Sequence, residues 1–77
     1  LPPRQFPPGI HQRLRERLDQ INAAVTLDFL RSPPGNRLEK LTKDRAGQYS
    51  VRINNQWRIC FEWRDNHAWE VEIVDYH

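Results

Sequence analysis

Cysteine is the first scarcity in this sequence: the 77 residues hold one, Cys60. A single thiol excludes an internal disulfide, the usual support of a secreted domain this small, and so favours a reducing compartment. Its place among alternating strand residues suits a buried structural thiol better than a nucleophile, which would need a base beside it. Glycine is nearly as rare, with only Gly9, Gly35 and Gly47, too few for a glycine-rich phosphate loop. His11, His67 and His77 are far apart, with no metal-ligand spacing between them, so neither a metal nor another cofactor is expected. No apolar run approaches the roughly 18 residues of a membrane span, and no signal-peptide pattern occurs. The chain opens on Leu1 rather than Met, and nothing about location follows from that end.

What is present describes one folded domain over residues 1–77. Hydrophobic residues make up 38%, and three Trp, three Phe and two Tyr supply the bulky anchors that disordered chains lack. A domain of this length buries only roughly 60% of the surface its unfolded chain exposes, which leaves a thin stability margin. Net charge is +2, but residues 37–58 sum to +4 and residues 59–77 to −4. Such a basic block suggests a surface facing a polyanion, against the plainer reading of a solvated loop and strand.

Hydrophobic periodicity gives the architecture. Residues 1–9 hold four of the six prolines and read as an extended lead-in. Ile10, Leu14, Leu18, Ile21 and Val25 then recur at helical spacing on one face. Leu27, Phe29 and Leu30 suggest a further helical turn, ended by Ser32-Pro33-Pro34-Gly35. From Gly47 the period becomes two. Tyr49, Val51 and Ile53 form one strand, Trp57, Ile59 and Phe61 a second, and Trp69, Val71 and Ile73 a third, with turns at Asn54-Asn55-Gln56 and Asp65-Asn66. Residues 37–43 suit either a short strand or a turn of helix. The expected fold is a small α+β two-layer domain, an N-terminal helix or helix pair packed on an antiparallel meander.

A metal-free cleavage of RNA is the chemistry these residues can support. Attack of a ribose 2′-hydroxyl on the adjacent phosphate needs a base, cationic stabilisation of the phosphate and an acid for the leaving oxygen. Arg52 and Arg58, near opposite ends of a hairpin, fall on the sheet face away from the core and can present guanidinium forks to phosphate. Lys43 and Arg45 approach the same patch. Asp75-Tyr76-His77 follows the last strand without a spacer: Asp75 or Glu39 can serve as base, His77 as acid or base, and Tyr76 can stack on a nucleobase. The competing reading is solubilising arginines and a harmless terminus.

Four segments carry a family resemblance: Arg31-Ser32-Pro33-Pro34-Gly35-Asn36-Arg37-Leu38-Glu39, Asp44-Arg45-Ala46-Gly47-Gln48-Tyr49-Ser50-Val51-Arg52-Ile53-Asn54, Gln56-Trp57-Arg58-Ile59-Cys60-Phe61, and Val71-Glu72-Ile73-Val74-Asp75-Tyr76-His77. From about Leu14 to His77 the chain resembles the HigB toxins of the RelE-like superfamily. The resemblance implies a RelE-like fold and, in bacterial cytoplasm, a ribosome-dependent endoribonuclease that cuts mRNA in the decoding site and so inhibits translation, without a metal. It implies as partner a HigA-like helix-turn-helix antitoxin, through which alone DNA is engaged. It further implies that Arg58 stabilises phosphate, that Asp75, Tyr76 and His77 form the acid, aromatic and histidine ending, and that Arg45 lies beside RNA. Glu39 falls where some members carry a catalytic histidine and others a glutamate, so the base stays open between Glu39 and Asp75. Where many relatives read Leu-Lys-Gly-Asp, this chain has Leu41-Thr42-Lys43-Asp44, with its lysine one position later. The family's short leading strand is expected to be absent before Leu1. A gyrase-directed poison of the ParE branch and a non-catalytic RNA- or antitoxin-binding module are the alternatives. Leu1 and Phe6 are candidate antitoxin contacts.

Overall fold

The computed structural model describes residues 9–32 and 34–76. Leu1, Phe6 and His77, and most of the expected lead-in, lie outside the described residues. The helix α1 spans Ile10–Ala23 and buries Ile10, Leu14 and Ile21. Leu18 is half-buried against the same core. Val25 lies past the end of the helix and is 70% exposed, so the predicted apolar stripe stops at Ile21. The further helical turn is a 3₁₀ turn over Leu27–Arg31 that buries Leu30 and leaves Phe29 exposed.

Four strands follow: β1 Glu39–Lys40, β2 Gln48–Arg52, β3 Trp57–Arg64 and β4 His67–Asp75. They pair antiparallel in the order β1-β2-β3-β4, so the predicted meander gains a short edge strand. The ambiguity over residues 37–43 resolves into both answers, since β1 is succeeded by a 3₁₀ turn over Lys43–Arg45. Gly47 opens β2 at φ +94°, backbone that a side chain would strain.

Local chemistry sets each connection. The Asn54 side-chain oxygen accepts both the Gln56 and Trp57 amides at 2.8 Å, an Asx turn that folds β2 back onto β3. Asp65 and Asn66 take φ 52° and 62° between the paired residues Arg64 and His67. Left-handed backbone at both central positions is what a two-residue hairpin of this twist requires.

Val51, Ile53, Trp57, Ile59 and Phe61 pack with Ile10, Leu14, Ile21 and Leu30 as the core. Arg17 adds a tie between layers, donating Nε to the Arg52 carbonyl at 3.0 Å. Asn36 is fully buried and donates to Gln20 Oε1 at 3.1 Å and to the Leu30 carbonyl at 3.2 Å, pinning the 27–36 segment against the helix.

The strand β4 departs from simple alternation. Register runs from Cys60 opposite Glu72 to Glu62 opposite Trp69, so Glu70 and Val71 together face Phe61. Glu70 sits at φ 53°, and this bulge flips every side chain beyond it to the opposite face. Ile73 packs on the core as expected and Ala68 joins it there, while Trp69 is turned out at 42% exposed and Val71, at the bulge itself, is 45% exposed. Trp69 instead donates Nε1 to the Arg64 carbonyl at 3.0 Å, and the Arg64 guanidinium lies over its ring.

Candidate RNA-cleaving site

On the sheet face away from the core, register aligns Ser50 with Cys60 and Arg52 with Arg58, then Cys60 with Glu72 and Arg58 with Val74. Arg52 and Arg58 are thus direct cross-strand partners beside one turn, not residues at opposite ends of the hairpin. They part at their side chains. Arg52 turns to Asn55 Oδ1, towards the hairpin tip, whereas Arg58 is only 7% exposed.

A charge that deep must be partnered. Arg58 Nε donates to Ser50 Oγ at 2.7 Å, and Nη2 donates to the Arg37 carbonyl at 2.5 Å and the Ser50 carbonyl at 3.3 Å. Glu39 Oε1 stands 3.7 Å from the same Nη2. Nη1 has no partner among the described residues. The Tyr76 ring covers the guanidinium, with its centroid 5.6 Å from Cζ, a cation–π contact. Arg58 is held in one pose by β2, by the backbone just ahead of β1 and by the residue after β4.

Beside this floor, a cleft of about 450 Å³ is lined by residues 39–45 and Tyr76. It brings together Glu39, Lys43, Arg45 and Tyr76. Lys43 is exposed at φ 57°, a left-handed backbone that glycine adopts more readily than lysine. Arg45 Nη1 donates to Gln48 Oε1 at 3.0 Å and to Glu72 Oε1 at 3.1 Å. The hydrogen bond to Glu72 raises the Arg45 pKa above its ordinary value. Burial raises the Cys60 thiol, and Arg45 pulls it back; burial likewise raises the Tyr76 hydroxyl, with Cys60 adding to the effect.

Asp75 is placed apart from this group. It is the register partner of Trp57, on the parity of the core face, and its Oδ2 accepts Gln56 Nε2 at 3.1 Å. Gln56 also takes the Tyr76 amide on its carbonyl at 2.6 Å, so one turn residue fixes the end of β4. Sequence reasoning missed Ser50, Gln56 and Glu72. Ser50 has the same strand parity as Arg52, but only the hairpin register shows that it lies within reach of Arg58. Glu72 and Gln56 left no signal, because their partners are distant in the chain.

The site is thus a buried arginine beside a cleft, on the far face of a four-stranded antiparallel sheet backed by one helix. The chain superposes on a solved structure described as the YoeB-YefM complex from Staphylococcus aureus with a TM-score of 0.65 at 26% identity, covering 95% of this chain and 77% of that one. A family model described as the RelE-like toxin of type II toxin-antitoxin system HigB matches residues 3–77, and the chain belongs to that family. Toxin HigB-1 of Vibrio cholerae is 40% identical over 65 residues, 84% of this chain and 68% of the relative. Endoribonuclease HigB of Proteus vulgaris is 31% identical over 65 residues, 84% of this chain and 70% of the relative. The chain thus spans roughly two-thirds of the length of these relatives. Among the described residues, no helix is long and apolar enough to cross a membrane.

Proposed function

We propose that this toxin is an endoribonuclease that cuts ribosome-bound mRNA in the bacterial cytoplasm and is neutralised by a HigA-like antitoxin. The observation that carries this reading is Arg58, a buried guanidinium locked by Ser50 and Arg37 beneath Tyr76. A cation fixed before the substrate arrives stabilises growing phosphate charge without reorganising, which is where electrostatic catalysis gains most. Relatives named as HigB toxins and as an endoribonuclease support the same activity.

In this mechanism the 2′-hydroxyl attacks its own 3′-phosphate, and the O–P bond to the 5′-oxygen breaks as a cyclic phosphate forms. Arg58, whose Nη1 bonds none of the described residues, receives the charge that builds on the phosphate. Glu39, 3.7 Å from Arg58 and on the wall of the cleft, is better placed than Asp75 to take the 2′-hydroxyl proton. Tyr76 offers a ring on which a nucleobase can stack. His77, outside the described residues, keeps the role of acid for the leaving 5′-oxygen. Lys43 and Arg45 hold phosphates flanking the scissile one, and Arg52 meets the backbone further along.

Primer extension on ribosome-bound mRNA after brief induction tests the reading. New 5′ ends within translated codons are expected from the parent and not from Arg58→Ala. Growth arrest with intact mRNA and gyrase-linked DNA damage would replace this reading with the gyrase-directed one. RNA binding without cleavage on ribosomes would leave only a binding module.

A further inference from the structure

One contact on the outer sheet face opposes the chemistry just described. Glu72 lies within β4 opposite Cys60, and its carboxylate oxygens meet Arg45 Nη1 and Nη2 at 3.1 and 3.5 Å. Two oxygens side by side against two guanidinium nitrogens is the geometry in which arginine receives a phosphate. Arg45 is prepositioned as well, because Gln48 Oε1 accepts the same Nη1 at 3.0 Å. The pair is not a buried fastening: the Arg45 and Glu72 side chains are 33% and 57% exposed. An ion pair so open to water is weak and exchangeable.

We propose that Glu72 occupies, in the free protein, the seat on Arg45 that a phosphate of the RNA takes, so that substrate binding exchanges one anion for another. This rests on the RNA-cleaving reading and adds to it a residue that sets how strongly the toxin holds RNA by itself. While Glu72 competes, Arg45 contributes little to affinity until other contacts bring the phosphate close. The exchange also leaves a signature in salt dependence. A phosphate that binds a free arginine releases its condensed counterion, which contributes about 0.7 to the slope of log K against log salt for a single strand. When that phosphate displaces Glu72, the freed carboxylate attracts a cation from solution and the contribution largely cancels.

The test uses the whole chain and an RNA oligonucleotide with 2′-O-methyl riboses, which binds but cannot be cut, titrated over a series of salt concentrations. Glu72→Gln is expected to tighten binding about fivefold, the upper end for an exposed pair, and to steepen the salt slope by about 0.7. Glu62→Gln is the charge-matched control: Glu62 lines the same face but pairs with Arg64 at 3.3 Å. Equal gains from the two variants, or a gain that survives Arg45→Ala in the Glu72→Gln background, overturns the exchange. Titration with inorganic phosphate, followed at the Arg45 guanidinium by NMR, reads the exchange without RNA. There Glu72→Gln is expected to respond at lower phosphate than the parent, and an identical response overturns the proposal. If the phosphate response differs but ribosome-bound mRNA is never cut, the exchange stands and the RNA-cleaving reading fails; cleavage with an identical phosphate response gives the reverse.

Discussion

Arg58 and Arg45 serve the same face of the sheet under opposite physical rules. Arg58 is 7% exposed and tied through Nε and Nη2 to Ser50 and the Arg37 carbonyl. Arg45 stands on a loop, partly in water, paired with a carboxylate that is itself mostly exposed. A floor cation held this way keeps its pose and is tied into the fold, since its removal orphans buried acceptors. A rim cation costs the fold little and can change partners. The site thus separates a fixed group, suited to transition-state charge, from an exchangeable one, suited to binding.

Arg58→Ala should break this division most severely. Loss of the fixed cation is expected to reduce cleavage by about 100-fold or more. The orphaned Ser50 and Arg37 acceptors should also lower stability by about 1–3 kcal/mol, read by urea denaturation. Arg58→Lys keeps the charge but not the fork, and should restore stability better than activity.

Tyr76→Ala comes next. It removes both the lid on Arg58 and the stacking ring, a loss of about 1–3 kcal/mol in RNA affinity, while Tyr76→Phe keeps most of that affinity. Oligonucleotide binding and primer extension, compared between the two variants, check this.

Alkaline pH probes the floor through Cys60 and Tyr76. Burial raises the Cys60 thiol above its ordinary 9.0 and the Tyr76 hydroxyl above 10.0, so the folded state holds these protons more tightly than the unfolded chain. Stability from this source is full below pH 9.0 and is lost as pH rises through the folded-state values. Urea midpoints should therefore fall above that pH, and Cys60→Ala should flatten the decline.

The smallest effect belongs to the rim itself. Lys43 holds a left-handed backbone at φ 57°, so Lys43→Gly is expected to raise stability by about 1 kcal/mol. RNA affinity should weaken slightly in the same variant, a split that thermal melts and RNA titrations resolve.

Much of the fold was legible along the chain, and the limits have a common cause. The helical spacing of Ile10, Leu14 and Ile21 and the alternation from Tyr49 to Phe61 report burial directly, because each period belongs to one backbone geometry. Val25 misled because nothing local marks Ala23 as the last helical residue. Trp69 misled because a bulge at Glu70 reverses its face, and Val71 because it sits at the bulge, whose left-handed backbone carries no glycine or asparagine to announce it.

By itself, then, the sequence determined the two-layer fold, the basic block and the identity of Arg58, Glu39, Lys43, Arg45 and Tyr76 as candidates, since periodicity and residue chemistry are properties of short stretches. Only the tertiary structure decided that Arg58 is buried, that Tyr76 and not Asp75 lies against it, and that Glu72 meets Arg45. Each of these depends on strand register, which brings together residues many positions apart, and no local pattern encodes that distance.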